Sequence, residues 1–198
     1  MEHRITKYPL EQGALEIEYI EEFFGEYQRR KTASEIVGRL KDRDHLILMA
    51  TAPLPDDPSV VVPVSYKVAH EIRANEETIP KLADLVERLR DYVNFNRRRI
   101  LYTWIGGTRR DWRGQGHFRA LTEQQEAWAI DNGFDEVLVK TKNKFYEMRG
   151  TLDHLRFDVV KYEPHSNNHE SKVYLSKKLS QQVLDAHRSM RTVVTVGE

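Results

Sequence analysis

Cysteine is absent from this 198-residue chain. Its absence excludes disulfides, thiolate catalysis, cysteine-ligated zinc and iron–sulfur clusters together. No apolar run approaches the ~20 residues that a membrane span needs, and the N-terminal stretch MEHRITKYPLEQG lacks the apolar core of a signal peptide. We therefore expect a soluble, cytoplasmic protein with no membrane partner.

Net charge is also missing, because 31 lysines and arginines balance 31 aspartates and glutamates. A neutral chain does not attract a polyanion, which argues against general nucleic-acid binding. The balance hides an uneven distribution: residues 11–26 carry six acids and no base, and residues 97–119 carry seven arginines and one aspartate. The acidic run is typical of a solvated helix face. The arginines surround glycines and adjoin an apolar strand, which predicts a site where charge and backbone amides hold a phosphate.

The length suits one ordinary domain, since ~100–200 residues is the usual domain size. Hydrophobic periodicity predicts helices over residues 14–40, 80–95, 117–133 and 143–155, and strands over residues 45–52, 59–72, 99–108, 135–141, 157–163 and 172–179. The first two strands resemble a hairpin in which Pro63 should sit at an edge or bulge. Pro80 should lie in the first turn of its helix, and Gly133 should cap the end of another. This order predicts an α/β fold with a mixed sheet.

The most specific signal is a strand, a glycine-rich turn and a helix over residues 101–128. A Walker A loop is excluded, because no Gly-Lys-Ser/Thr tripeptide occurs. A dinucleotide fingerprint fails as well, because Gly114 and Gly116 are followed by Arg119 where the third glycine would stand. The segment Arg113-Gly114-Gln115-Gly116-His117-Phe118 instead resembles the acetyl-coenzyme A loop, Q/R-x-x-G-x-G/A, of the GCN5-related N-acetyltransferases (GNAT superfamily). Phe118 occupies the last position of this pattern, where the family has a glycine or an alanine.

The resemblance extends over residues 61–179. The segment VVPVSYKVAH is similar to the family's third strand. The segment TKNKFYEMRGTLDHLRFDVV is similar to its second cofactor motif, with Asn143 before a short helix and Phe157 at the start of the next strand. Arg156 replaces the glycine that the family has before this phenylalanine. The resemblance implies a GNAT-type α/β fold, in which a central mixed, mostly antiparallel sheet is splayed at the cofactor site and flanked by helices.

The resemblance also implies how the chain is organised and what it does. Residues 1–198 would form a single acetyltransferase domain, with a helical wall on the acceptor side (1–43), a sheet core with the cofactor site (44–179) and a C-terminal tail (180–198). The expected activity is that of an acetyl-CoA-dependent N-acetyltransferase, which moves an acetyl group directly to an amine of a small molecule or a peptide. Acetyl-CoA is then a co-substrate.

Cofactor contacts are carried over by position. The residues expected to line the pantetheine arm are Gly106, Gly107 and Thr108, and Asn143 should bond to that arm or to nearby backbone. The residues expected at the pyrophosphate are Arg113, Gly114, Gln115, Gly116, His117, Phe118 and Arg119. No metal is expected, because the histidines at 154, 165 and 169 match no zinc pattern.

Catalytic groups are less visible in the sequence. The family's acid is a tyrosine five residues before the phenylalanine of the second motif, and Leu152 occupies this position. Tyr146 on the same short helix is the nearest phenol, although a core-packing role fits it equally well. Tyr102 is a further candidate at the substrate cleft, with packing as the favoured alternative. Glu71, or His70 beside it, is the candidate base, acting directly or through water.

One alternative function stays open. Leu152 and Phe118 depart from the family pattern, and both departures also fit a non-catalytic acyl-CoA-binding or regulatory module on the same fold. Such a module would bind the coenzyme without turning over any amine. The acidic run of residues 11–26 lies in the predicted acceptor wall, where it would attract a cationic amine. A homodimer through residues 180–198 or an edge strand is compatible with the sequence.

Overall fold

The computed structural model describes residues 3–10 and 31–194. Within these ranges the strands are β1 (Arg4–Lys7), β2 (His45–Pro53), β3 (Val61–Ile72), β4 (Ile100–Thr108), β5 (Glu136–Lys142), β6 (Asp158–Glu163) and β7 (Lys172–Lys178). The α-helices are α1 (Ala33–Leu40), α2 (Pro80–Leu89), α3 (His117–Asp131), α4 (Tyr146–His154) and α5 (Gln181–Val194). The acidic run of residues 11–26, and most of the helix predicted over residues 14–40, lie outside the described residues.

The strands of the described residues form one mixed sheet in the order β1-β2-β3-β4-β5-β7-β6. Antiparallel pairing joins β1 to β2, β2 to β3, β5 to β7 and β6 to β7. The predicted α/β fold class with a mixed, mostly antiparallel sheet is confirmed. Two elements were not predicted, namely β1 and α5. No described helix combines the length and the apolar character that crossing a membrane requires.

Contacts between Cα atoms divide the chain into two compact units. The first consists of Met1–Glu71 and Thr103–Leu121, and the second of Ile72–Tyr102 and Thr122–Glu198. β4 and α3 each contribute residues to both units.

In the first unit, α1 packs its apolar face against the β2–β3 hairpin. Thr32 begins the helix through a capping box, in which Glu35 N donates to Thr32 Oγ1 at 3.2 Å and Thr32 N donates to Glu35 Oε2 at 2.9 Å. Helical spacing places Ile36 and Leu40 one turn apart, on the face that packs against the hairpin. The buried cluster comprises Ile36, Leu40, Ile47, Met49, Tyr66 and Val68. Trp104 of β4 is partly buried against this cluster.

Pro63 lies beside a β-bulge, as the sequence predicts. Ala50 of β2 pairs with Ser65, whereas the next β2 residue pairs with Pro63, so Val64 is an extra residue on β3. The Val64 carbonyl oxygen accepts a hydrogen bond from Arg109 N at 2.9 Å. The bulge thus anchors the residue that directly follows β4.

In the second unit, α3 ends in the cap that the sequence predicts. Gly133 N donates to Ile130 O at 3.1 Å, and Phe134 N donates to Ala129 O at 2.9 Å. This pair of bonds is a Schellman motif, which requires a left-handed residue. Gly133 adopts a φ of +73°, so the glycine is needed for this conformation.

The helix predicted over residues 80–95 is shorter in the structure. It begins with Pro80 in its first turn, as predicted, and ends at Leu89. Turns follow it, although Val93 N still donates to Leu89 O at 2.8 Å and the Val93 side chain is buried. The apolar stripe therefore continues past the end of the helix, which is why periodicity overstated its length.

A buried cluster of charged and polar groups, the Glu126 cluster, links α3, β7 and α5. Glu126 Oε2 accepts from Lys177 Nζ at 2.7 Å and lies 2.8 Å from His187 Nε2. All three residues are buried. α5 is therefore fixed to the second unit by a polar contact as well as by packing.

Candidate active site

The end of β4 runs close against β3. A Cβ atom added to Gly106 would lie 3.0 Å from the backbone oxygen of Tyr66, and a side chain there would force the backbone to shift. Ser65 Oγ donates to Gly107 O at 2.9 Å and lies 2.8 Å from Thr108 Oγ1. The three residues expected at the pantetheine arm therefore form a strand end that is held against β3.

The turn after β4 takes its shape from two glycines. Arg113 Nε donates back to Thr108 O at 3.2 Å, after the short 3-10 helix Arg110–Trp112. Gly114 and Gly116 adopt φ angles of +74° and +83°, a region that costs residues with a side chain ~1–2 kcal/mol. A Cβ on either glycine would meet no described atom within 4 Å. The backbone conformation requires these glycines, and the space in front of them is open.

α3 begins directly after the second glycine. Ala120 N donates to Gly116 O at 3.0 Å, so Gly116 is the residue that precedes the first helical turn. The first amides of a helix have no acceptor within the helix, and the helix dipole favours an anion at this end. Gln115 and Gly116 are both exposed. The segment can therefore present backbone N–H groups to a phosphate.

His117 does not point its ring toward solvent. Its side chain is 3% exposed and makes edge contacts with His3, at 4.6 Å between ring centroids, and with Trp112, at 6.2 Å. Neither ring nitrogen has a hydrogen-bond partner among the residues that the structure describes. Burial, and next the nearby His3, lower the pKa of His117 below its ordinary value. The ring is therefore neutral at pH 7, and only the backbone of this residue can serve a phosphate.

Phe118, the residue that departs from the family's loop pattern, packs against a buried cation. Lys67 Nζ lies 4.4 Å from the centroid of the Phe118 ring, and Lys67 is 2% exposed. The contact is a cation–π interaction between β3 and the first turn of α3. The large side chain is thus accommodated on the β3 side of the helix.

Two of the seven arginines are bonded to residues that follow α3. Arg98 Nη1 donates to Glu136 Oε2 at 3.0 Å, and Arg99 Nη1 donates to Asn132 O at 2.7 Å. These contacts stabilise residues that follow the C-terminal end of α3. The arginines that flank the glycine turn are Arg109, Arg110, Arg113 and Arg119.

In the second unit, Asn143 is a buried hub just after β5. Its Nδ2 donates to the backbone oxygen and to Oδ1 of Asn168, both at 3.0 Å, and to Tyr162 Oη at 3.3 Å. Its Oδ1 accepts from Arg149 Nη1. The sequence leaves open whether this amide bonds to the pantetheine arm or to nearby backbone, and in the structure it bonds to the backbone oxygen of Asn168.

Tyr146 is the first residue of α4 and is 60% exposed. Its phenol oxygen lies 2.8 Å from His169 Nδ1, and the two rings meet edge to face with centroids 5.9 Å apart. Leu152, which occupies the position of the family's tyrosine, is completely buried. The exposed phenol of α4 is therefore held by a histidine from a distant loop.

The two candidate bases differ in their surroundings. His70 is completely buried on β3, its Nε2 accepts from Arg39 Nε at 3.0 Å, and its Nδ1 lies 2.7 Å from Glu71 O. Burial is the main cause that lowers the pKa of His70 to about 3. Glu71 is half-buried at the same strand end. Tyr102, the remaining candidate, is 7% exposed.

Sequence reasoning missed the roles of Ser65, Lys67 and His169 in these arrangements. No local signal pointed to them, because each contact joins distant residues: 42 positions separate Ser65 from Gly107, and 23 separate Tyr146 from His169. Among residues 3–10 and 31–194, no group of three or more histidine or acidic side chains is arranged to hold a metal ion.

Comparison with known proteins gives matches of structure alone. No family model matches the sequence, and no curated protein matches it. NAA60 of Arabidopsis thaliana, in complex with acetyl-CoA, superposes with a TM-score of 0.65 at 10% identity, covering 89% of this chain and 98% of that one. The NatC complex bound to Gag peptide and CoA gives 0.62 at 14% identity, covering 91% and 100%. An acetyltransferase of the GNAT family from Desulfovibrio desulfuricans gives 0.59 at 14% identity, covering 90% and 100%.

Identities this low report the fold and nothing finer. The fold agrees with the motifs that the sequence carries between β4 and α4. This chain therefore has the fold of the GCN5-related N-acetyltransferases.

Proposed function

We propose that the protein is an acetyl-CoA-dependent N-acetyltransferase that moves an acetyl group directly to an amine of a small molecule or a peptide. The observation that carries this proposal is the turn with two left-handed glycines, Gly114 and Gly116, between β4 and the 15-residue helix α3. A glycine turn ahead of a long helix is suited to a pyrophosphate. Structures of the same fold contain acetyl-CoA or CoA, which supports the choice of ligand.

The residues of the turn fit a pyrophosphate group. The space in front of Gly114 and Gly116 is open, and arginines flank the turn on both sides. We propose that the backbone amides of residues 114–119 bind the pyrophosphate and that Arg113 adds charge-assisted hydrogen bonds. Gly106, Gly107 and Thr108 are proposed to line the pantetheine arm, and Asn143 to hydrogen-bond that arm or nearby backbone.

The remaining proposals concern proton movement during transfer. Bound acetyl-CoA supplies the acetyl thioester. Backbone amides at Gly106 and Gly107 are proposed to stabilise the negative charge that develops on its oxygen. Glu71 takes the proton that the amine loses, directly or through water, and Tyr146 gives a proton to the leaving sulfur. His70 is unsuited to the first task because its Nε2 already accepts a bond from Arg39.

The alternative of a non-catalytic acyl-CoA-binding module is favoured by one observation. Leu152 fills the family's acid position and is completely buried, so no proton donor can act from there. Unless another residue replaces that acid, the fold would bind the coenzyme without transfer. Amine-dependent thiol release distinguishes the two functions.

The test is calorimetric titration of acetyl-CoA into the wild type and into two variants at one position. Gly116→Ala carries the strain of a left-handed φ without bulk, whereas Gly116→Trp carries the same strain and fills the open space. We expect binding by the wild type and by Gly116→Ala, and loss of binding in Gly116→Trp. Wild-type protein that does not bind acetyl-CoA would refute the proposal.

The acceptor is then sought by measuring thiol release with a panel of small amines and peptides. Peptides belong in the panel because a structure of the same fold contains one. A cationic amine is the first choice if the acidic run of residues 11–26 serves the acceptor. Cytoplasmic location and a homodimer stay predictions.

A further inference from the structure

The Tyr146–His169 pair is built from two segments that are tied together by their backbones. His169 lies in the short 3-10 helix Asn168–Glu170, and its carbonyl oxygen accepts from Lys144 N at 3.0 Å. Its own N–H donates to Asn167 Oδ1 at 3.1 Å. The imidazole is thus carried by a backbone that is fixed on both sides.

Side-chain ion pairs strengthen the same connection. Glu170 is bonded to Lys142 and, at 2.7 Å, to Lys144. These two lysines lower the pKa of Glu170 to about 2, so its carboxylate stays ionised at any pH used for an assay. Two lysines and one glutamate thus join the segment that carries His169 to the residues that precede α4.

The exposure of the pair suits a role on a bound ligand. Tyr146 is 60% exposed, yet its phenol oxygen is held at 2.8 Å by one nitrogen. A neutral imidazole has one N–H donor and one acceptor nitrogen. If Nδ1 carries the proton, it donates to the phenol oxygen, and the phenol O–H is left to point away from the histidine. In the opposite tautomer the phenol proton would be directed at His169.

We propose that His169 is a positioning residue, whose Nδ1–H holds the Tyr146 phenol so that the phenol O–H can serve as the acid of the acetyl transfer. The inference rests on the proposed function. It also explains how α4 retains an acid although Leu152 occupies the family's position. The pair replaces one tyrosine with a tyrosine and a histidine from different segments.

Every bond and proton of the acetyl transfer from sulfur to nitrogen has an assigned place. The amine nitrogen forms the C–N bond, the C–S bond breaks, and its electron pair goes to sulfur. Sulfur takes the phenol proton of Tyr146, and the His169 Nδ1–H stabilises the phenolate that results. The phenolate then takes a proton from solvent, and the proton lost by the amine leaves through Glu71.

The first experiment measures kcat and the KM for acetyl-CoA in Tyr146→Phe, His169→Leu, His169→Asn and the double variant Tyr146→Phe/His169→Leu. Loss of a general acid typically costs ~10²–10⁴-fold in rate, so we expect kcat to fall by at least about 10²-fold in Tyr146→Phe. His169→Leu should lose kcat while the KM changes little. The double variant should be no slower than Tyr146→Phe, because the two residues act as one unit.

The asparagine variant separates positioning from proton relay. Its amide nitrogen is attached to Cγ, as Nδ1 of histidine is, so it can donate from the same place without titrating. We expect His169→Asn to recover most of the rate lost in His169→Leu. His154→Leu removes an exposed histidine from the last turn of α4 and is the matched control. Wild-type rate in His169→Leu, or equal rates in the leucine and asparagine variants, would overturn the proposal.

A second measurement does not depend on activity. Two-dimensional ¹H–¹⁵N NMR of histidine-labelled wild type reports which ring nitrogen of His169 carries the proton, with Tyr146→Phe to assign the signal. We expect protonation at Nδ1. The tautomer with the proton on Nε2 would overturn the positioning role even in an active enzyme. A wild type that binds acetyl-CoA but acetylates no amine refutes the transferase proposal first, and this inference with it.

Discussion

His70 allows a quantitative test of the first unit, because its side chain is completely buried. Burial is the main cause that lowers its pKa to about 3, and the cations Arg39 and Arg43 act in the same direction. An unfolded chain has a histidine pKa of about 6.5. Below pH 6.5 the unfolded state therefore binds a proton that the folded state does not bind.

The sign follows from proton linkage. Because the unfolded state binds more protons, the free energy of unfolding falls as the pH decreases from about 6.5 to about 3. Each pH unit in this window costs about 1.4 kcal/mol for one proton. Between pH 8 and pH 5 the contribution of His70 is about 2 kcal/mol, since pH 5 lies about 1.5 units below the unfolded pKa.

The assay is urea unfolding at pH 8 and pH 5 for the wild type and for His70→Gln. Glutamine does not titrate and can accept the Arg39 hydrogen bond. The free energy of unfolding of the variant should therefore fall by about 2 kcal/mol less than that of the wild type between pH 8 and pH 5. His117 also has a pKa lowered by burial, so only the difference between the proteins is diagnostic. His154→Gln, at an exposed position, is the control.

The refuting result is an unchanged pH dependence in His70→Gln. It would mean that His70 takes up its proton at the same pH in the folded and unfolded states, and hence that its side chain is not held neutral by burial. His70 would then return as a candidate base beside Glu71. A variant that unfolds at pH 8 is replaced by His70→Asn, which keeps a donor at the Nδ1 position.

Three further predictions concern stability, measured by urea or thermal unfolding. Gly106→Ala should lower the free energy of unfolding by ~1–3 kcal/mol, because its Cβ would lie 3.0 Å from a backbone oxygen. Gly150→Ala in α4, where a Cβ would meet nothing within 4 Å, should raise it by ~0.5–1 kcal/mol. Equal effects of the two substitutions would contradict the close approach of β4 to β3. Lys177→Met should lower the free energy of unfolding by ~3–5 kcal/mol, because it leaves Glu126 buried without its ammonium partner. Adding Glu126→Leu should recover part of that loss. Additive losses from the two substitutions would argue against the contact. Thr32→Ala should cost ~1 kcal/mol through the lost cap of α1, and a neutral effect would mean that α1 does not begin at this residue.

Local backbone chemistry made a large part of the fold predictable. Pro63 marked a bulge and Gly133 a helix end, because proline and glycine restrict or widen backbone conformation wherever they stand. The glycine turn after β4 was found for the same reason. Gly114 and Gly116 predicted a turn, the periodicity of the next residues predicted a helix, and the structure showed that both glycines are left-handed. The order of the segments predicted an α/β fold with a mixed sheet, and the GNAT-type fold was implied by the resemblance over residues 61–179.

Elements whose stability comes from a partner were not found. β1 has four residues, RITK, and is a strand because it pairs with β2. α5 buries His187 on its inner side against Glu126, and a polar residue at a buried position hides the apolar stripe that predicts a helix. Neither segment carries enough information by itself, since the stabilising contact lies elsewhere in the chain.

The sequence by itself therefore determined the glycine turn, the helix behind it and the positions of strands β2 to β7 along the chain, because each depends on neighbours within a few residues. Only the tertiary structure decided which side chains meet. It bonded Arg98 and Arg99 to residues after α3, buried the His117 ring, and joined Tyr146 to His169 across 23 positions. The physical reason is that hydrogen bonds, charge and burial act over a few ångströms in space, whatever distance separates the residues along the chain.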